Sequence, residues 1–94
     1  MVLTVKFIGA LRQLSGKPQL IANFQQGMSL EDLLDTLRSE IPQLTKVFSE
    51  HQLSDSNSNA LVLINGREIS VLNGFETKLG DNDEIVFIPV VHGG

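Results

Sequence analysis

No cysteine occurs in these 94 residues, and its absence removes disulfides, thiolate metal sites and thiol nucleophiles together. Any sulfur chemistry the chain joins has to use another atom. Clustered positive charge is missing as well. The seven Lys and Arg residues are scattered from Lys6 to Lys78 in a chain of net charge −4, which leaves no basic patch for a phosphate backbone. Nucleic acid is not expected as a direct partner, whereas an acidic domain can be steered toward a basic protein surface. Histidine is limited to His51 and His92, far apart and without a spaced acid cluster, so no resident metal is expected. The opening Met1-Val2-Leu3-Thr4-Val5-Lys6 has no charged leader followed by a long apolar core. No apolar run approaches the ~18 residues of a membrane span. The default expectation is a cytoplasmic location.

What is present is enough for one domain, burying roughly 60 to 65% of the unfolded chain's surface. Val2 to Ile8 alternates apolar and polar residues, the period of a half-buried strand. Gly9 and Gly16 bracket Leu11 and Leu14, a spacing that suits one or two helical turns. Gln19 to Phe24 alternates again, with Leu20, Ala22 and Phe24 together. Ser29 is a good N-cap, Glu31 and Asp32 suit the first turn, and Met28 and Leu33 suit a hydrophobic staple. Leu30, Leu33, Leu34, Leu37 and Ile41 then recur on one helical face. Pro42 stops this main helix near Glu40. A second helical stretch is expected over Gln43 to Ser49, with Leu44, Val47 and Phe48 buried.

The small polar residues from Leu53 to Asn59 read as a loop, because their side chains bond their own backbone. Ala60 to Ile64 is an apolar run of strand length, covered at least in part on both faces. Asn65-Gly66 accepts the positive φ angles of a type I′ hairpin turn, and a short strand is expected to return over Arg67 to Ser70. Val71 to Leu79 is irregular, with a turn at Gly74. Asp81-Asn82-Asp83 turns the chain into a last strand, Glu84 to Pro89. The class is α+β, one mixed sheet with a main helix packed across it, the first and last strands being central neighbours. One domain is assigned to residues 1–89 and a flexible tail to 90–94.

The tail, Val90-Val91-His92-Gly93-Gly94, is the candidate functional element. Glycine has no Cβ, so a Gly-Gly end threads a slot too narrow for other dipeptides and leaves the Gly94 carboxylate bare. His92 is read as a tail contact or spacer and not as a general base, which needs fixed geometry and an orienting partner. Asp81, Asp83 and Glu84 are read as solvated turn residues, since calcium wants further oxygen ligands.

Three stretches in order carry a resemblance: Val5 to Gly16, Leu63-Ile64-Asn65-Gly66, and Leu79 to Pro89 followed by the terminal Gly-Gly. Over nearly the whole chain the sequence resembles the ubiquitin-like β-grasp sulfur carriers, the group of the molybdopterin synthase small subunit (MoaD), the thiamine sulfur carrier (ThiS) and the ubiquitin-related modifier. Asp81-Asn82-Asp83 stands where MoaD proteins commonly carry Asp-Gly-Asp, and Val90 where they carry a second proline. The His92-Gly93-Gly94 end is similar to that of the ubiquitin-related modifier, and the Ile88-Pro89 to Gly94 pattern to bacterial carriers of cysteine synthesis.

The resemblance implies a β-grasp fold and a carrier that is not itself an enzyme. An ATP-dependent activating enzyme of the MoeB/ThiF kind, using ATP and Mg, would adenylate the Gly94 carboxylate, and a sulfur donor would convert it to a thiocarboxylate. No cofactor is expected on the chain itself. The tail residues Gly93, His92 and Val91 would enter the partner, and Ile88 with Ile69 would form an apolar docking patch, ordinary core packing being the alternative for both. The leading expectation is molybdopterin biosynthesis as the small subunit of the synthase, with its large subunit as partner. Sulfur transfer to tRNA, cysteine or thiamine, conjugation to protein lysines through Gly94, and a β-grasp interaction module that never carries sulfur remain the alternatives.

Overall fold

A computed structural model describes residues 1–46 and 60–90. The elements are β1 (Val2–Phe7), α1 (Ala10–Ser15), β2 (Gln19–Asn23), α2 (Leu30–Glu40), β3 (Ala60–Ile64), β4 (Arg67–Glu68) and β5 (Glu84–Pro89), with 3-10 turns at Pro42–Lys46, Ile69–Val71 and Gly74–Glu76. The strands form one sheet in the order β2-β1-β5-β3-β4. β1 and β5 run parallel, while β1 with β2, β3 with β5 and β3 with β4 are antiparallel. The expected α+β class, mixed sheet and central pairing of first and last strands are all present.

Alternation sorts the sheet into two faces. Leu3, Val5 and Phe7 of β1, Val62 and Ile64 of β3, and Ile85 and Phe87 of β5 are buried against Leu30, Leu33, Leu34 and Leu37 of α2. Phe7 and Phe87 lie opposite each other in the parallel pair and stack with ring centroids 6.0 Å apart. Burying one such large apolar side chain stabilises by roughly 1.5–3 kcal/mol, so this double row holds the two central strands under the helix.

α2 starts where the sequence places it. Ser29 Oγ accepts the Asp32 amide at 3.2 Å, and the Asp32 carboxylate accepts the Ser29 amide at 3.1 Å. This reciprocal capping box satisfies two donors that the first turn would otherwise orphan. Donation from the Ser29 backbone, with the Ser29 hydroxyl next and the charge of Lys78 adding to it, holds the Asp32 carboxyl below the ordinary carboxylate range. The helix ends at Glu40, just before Pro42. Leu44 is buried in the 3-10 turn beyond it. The expected burial of Val47 and Phe48 and the expected loop from Leu53 to Asn59 lie outside the described residues.

One expectation needs correction. The strand expected over Arg67 to Ser70 pairs with β3 only at Arg67 and Glu68. The chain then coils, because the Glu68 carboxylate accepts the Ser70 amide and caps a 3-10 turn. That turn swings Ile69 into the core, where it is 7% exposed.

Candidate functional site

Gly94, Gly93, His92 and Val91 lie outside the described residues. The structure shows the platform from which they depart. β5 is the third of five strands, paired with β1 over Glu84 to Phe87 and with β3 over Ile85 to Pro89, and Val90 follows its last residue as an exposed side chain.

The start of β5 is fixed by the motif residues. Asn65, with φ +51° in the β3–β4 turn, uses its backbone and both ends of its amide. Its backbone N–H donates to the Glu84 carbonyl at 2.8 Å, its Oδ1 accepts the Glu84 amide at 2.9 Å, and its Nδ2 donates to Asp83 at 2.9 Å. Asp83 also accepts the Gly80 amide at 2.7 Å, across a turn in which Asn82 takes φ +68°. Asp81 accepts the Val2 amide at 2.7 Å, and Glu84 pairs with Lys6 at 3.0 Å. The Asn-Gly and Gly-Asp-Asn-Asp segments, separate in sequence, are thus one clamp. Their acids are taken up by backbone amides, an asparagine amide and a lysine. Among the described residues no three His, Asp or Glu side chains converge as a metal centre would.

The far end of β5 is set by the β1–α1 turn. Ile8 donates its amide to the Phe87 carbonyl at 3.0 Å, and Gly9 turns the chain with φ +59°. A Cβ on Gly9 would stand 3.1 Å from Pro89 Cγ, so the glycine lets this turn press on the base of the tail. The sequence marked Gly9 only as a helix boundary.

The other face of the sheet carries no helix among the described residues. Alternation along the strands puts Ile88 and Val86 of β5 on it with Leu61 and Leu63 of β3, which they face in register. All four are half-buried, and Ile21 on β2 is 58% exposed. The Lys6–Glu84 pair sits at the edge of this apolar strip, both side chains open to water, where such a pair contributes little stability. Ile88 is therefore on an accessible face, while Phe87 is buried. Ile69 is not beside it: it belongs to the core under α2, and the neighbours of Ile88 are Leu61, Val86 and Leu63. The unbroken apolar run Ala60 to Ile64 held the missing signal, since a strand cannot point all five side chains at one helix.

The model of the ThiS family matches residues 5–94, and the chain belongs to that ubiquitin-like β-grasp family. It is 29% identical, over the full length of both chains, to small archaeal modifier protein 3 of Haloferax volcanii. Among solved structures it is similar to small archaeal modifier protein 1 of Methanosarcina acetivorans, with 35% identity, a TM-score of 0.79 and coverage of 99% of this chain and 96% of that one. The fold is also that of molybdopterin converting factor subunit 1 of Pyrococcus furiosus, at TM-score 0.80 and 22% identity, covering 97% and 99%.

Proposed function

We propose that this chain is a carrier whose reactive group is the Gly94 carboxylate, delivered on a five-residue tail from the centre of the sheet. The observation that supports this most is that the family match runs through Gly94 while β5 is held by β1 as far as Phe87 and by β3 as far as Pro89. A carboxylate is a poor electrophile, so activation comes first. A Gly94 oxygen attacks the α-phosphorus of ATP in a partner enzyme, pyrophosphate leaves, and an acyl-adenylate forms. Hydrosulfide from a sulfur donor then attacks the carbonyl carbon, AMP leaves, and the terminus becomes a thiocarboxylate. Mg, held by the partner, would supply the counter-charge for the phosphates. This chain contributes the narrow Gly93-Gly94 end, the Val91 and His92 contacts in the partner's channel, and the Ile88 strip as a docking face. A partner-dependent exchange of labelled pyrophosphate into ATP tests the first step. It should appear with the full chain and vanish when Gly94 is removed.

The recipient divides two readings. Delivery of sulfur to a pterin precursor, with this chain as small subunit of molybdopterin synthase, draws support from the fold shared with the molybdopterin converting factor. Conjugation draws support from the two relatives named as modifiers, which are the more similar in sequence at 29% and 35%. In that route the ε-amine of an acceptor lysine attacks the activated carbonyl carbon and an amide replaces the leaving group. No Lys or Arg follows Lys78, so trypsin would leave the segment Leu79 to Gly94 on the acceptor lysine. Finding that remnant by mass spectrometry supports conjugation; finding none on lysates competent for activation favours sulfur delivery.

A further inference from the structure

We infer that the outer edge of β2, together with the groove between β2 and α2, binds an extended basic peptide as a sixth strand. β2 is an edge strand, and the direction of its backbone groups follows from the pairing. Met1 and Phe24 exchange hydrogen bonds at 2.8 and 2.7 Å, and Phe7 donates to the Pro18 carbonyl at 2.9 Å. Opposed residues of an antiparallel pair alternate between bonded and unbonded. Leu3 with Ala22 and Val5 with Leu20 are therefore bonded pairs, whereas Gln19, Ile21 and Asn23 turn their N–H and C=O groups away from β1. Such an unpaired row is a template for an added strand.

Beside this row, an open groove of about 680 Å³ runs between the end of β2 and α2, with half-buried Phe24 and Met28 in its wall. Asp32, Asp35 and Glu40 also line it, and no Lys or Arg is among its described lining residues. An added strand would lay alternate side chains over this groove. Asp35 pairs with Arg38 and Asp32 accepts the Ser29 amide, so Glu40 is the main contact for a lysine or arginine on that side of the peptide, backed by the groove's overall negative potential. The same acidity in a chain of net charge −4 opposes a second copy pairing edge to edge.

The groove adjoins the start of β1, opposite the end of the sheet from which Val90 departs. A peptide bound there leaves the tail and the Ile88 strip free. This is a second interaction surface, independent of the activation reading above.

The probe is a fluorescent, end-blocked peptide of alternating valine and lysine, about six residues long to match a strand, with an alternating valine and glutamate peptide as control. Anisotropy should show binding of the lysine peptide only, weakened as salt screens the carboxylates. Amide shifts should map to Gln19–Asn23 and α2. Asp35→Lys with Glu40→Lys, both exposed positions, should lower the affinity about tenfold or more, as expected when charge complementarity at an interface is reversed. Ile21→Pro removes an outward donor without touching the β1 ladder and should abolish binding with the domain still folded. The inference is overturned if the glutamate peptide binds equally, if shifts map to Leu61, Val86 and Ile88, if the charge reversals leave affinity unchanged, or if the lysine peptide does not bind.

Discussion

Gly9 and Pro89 meet at close quarters: a Cβ on Gly9 would lie 3.1 Å from Pro89 Cγ, so the proline ring would have to give by a few tenths of an ångström, and Gly9 holds a backbone φ of +59°. The turn after β1 thereby supports the last residue of β5. Gly9→Ala combines a conformation that L residues avoid with a contact that has to give, and a loss of about 1–3 kcal/mol is expected in urea denaturation. Pro89→Ala in the same chain should return part of it by removing Cγ. No recovery would assign the whole cost to the backbone angle.

Asn65 joins the β3–β4 turn to the start of β5 through Asp83 and Glu84. Asn65→Gly keeps the positive φ but deletes both side-chain bonds, so it separates turn geometry from clamp. A loss of about 1–2 kcal/mol is expected, with the largest amide shift changes at Gly80, Asp83 and Glu84. A variant as stable as the parent would show that the backbone alone sets the strand.

The capping box of α2 gives a pH-dependent prediction. The Asp32 carboxyl is held below its ordinary range by donation from Ser29, so its contribution is present above the unfolded-state pKa and is lost as pH falls through the folded one. Asp32→Ala, which leaves the Ser29 amide without its carboxylate acceptor, should be less stable than the parent at neutral pH. The gap between parent and variant should narrow in acid, once Asp32 is protonated. A gap that is constant down to strongly acidic pH would contradict this coupling.

Ile88 and Ile69 should respond in opposite ways to the same change. Ile88 lies on the open face, so Ile88→Asp should leave the melting temperature within a few degrees and weaken partner-dependent activation about tenfold, as expected for an interface anchor. Leu61→Asp should behave alike. Ile69 is in the core, and Ile69→Asp buries an unpaired charge, a change that unfolds marginal domains. If Ile88→Asp unfolds the chain instead, the strip is core and not a docking face.

The sheet and main helix were legible because their residues alternate or recur at periods that only one element satisfies. Ser29, Pro42 and Asn65-Gly66 mark boundaries through chemistry confined to the next few residues. Ile69 was not legible: its direction depends on Glu68 capping a turn after two strand residues, a competition that alternation does not register. Nor was the link between Asn65 and Asp83, which are 18 residues apart and meet only once β3 and β5 pair. The support under Pro89, from which the Gly93-Gly94 end follows in sequence, was not legible either, because it comes from Gly9, a residue near the other end of the chain.

The most direct test of the Gly94 assignment is the intact mass of the chain after incubation with its activating enzyme, ATP and a sulfide source. The expected result is a shift of one oxygen-to-sulfur exchange, localised to the C-terminal residue and absent when Gly94 is deleted. An unchanged mass with an enzyme shown to be active would contradict the assignment of this chain as a sulfur carrier.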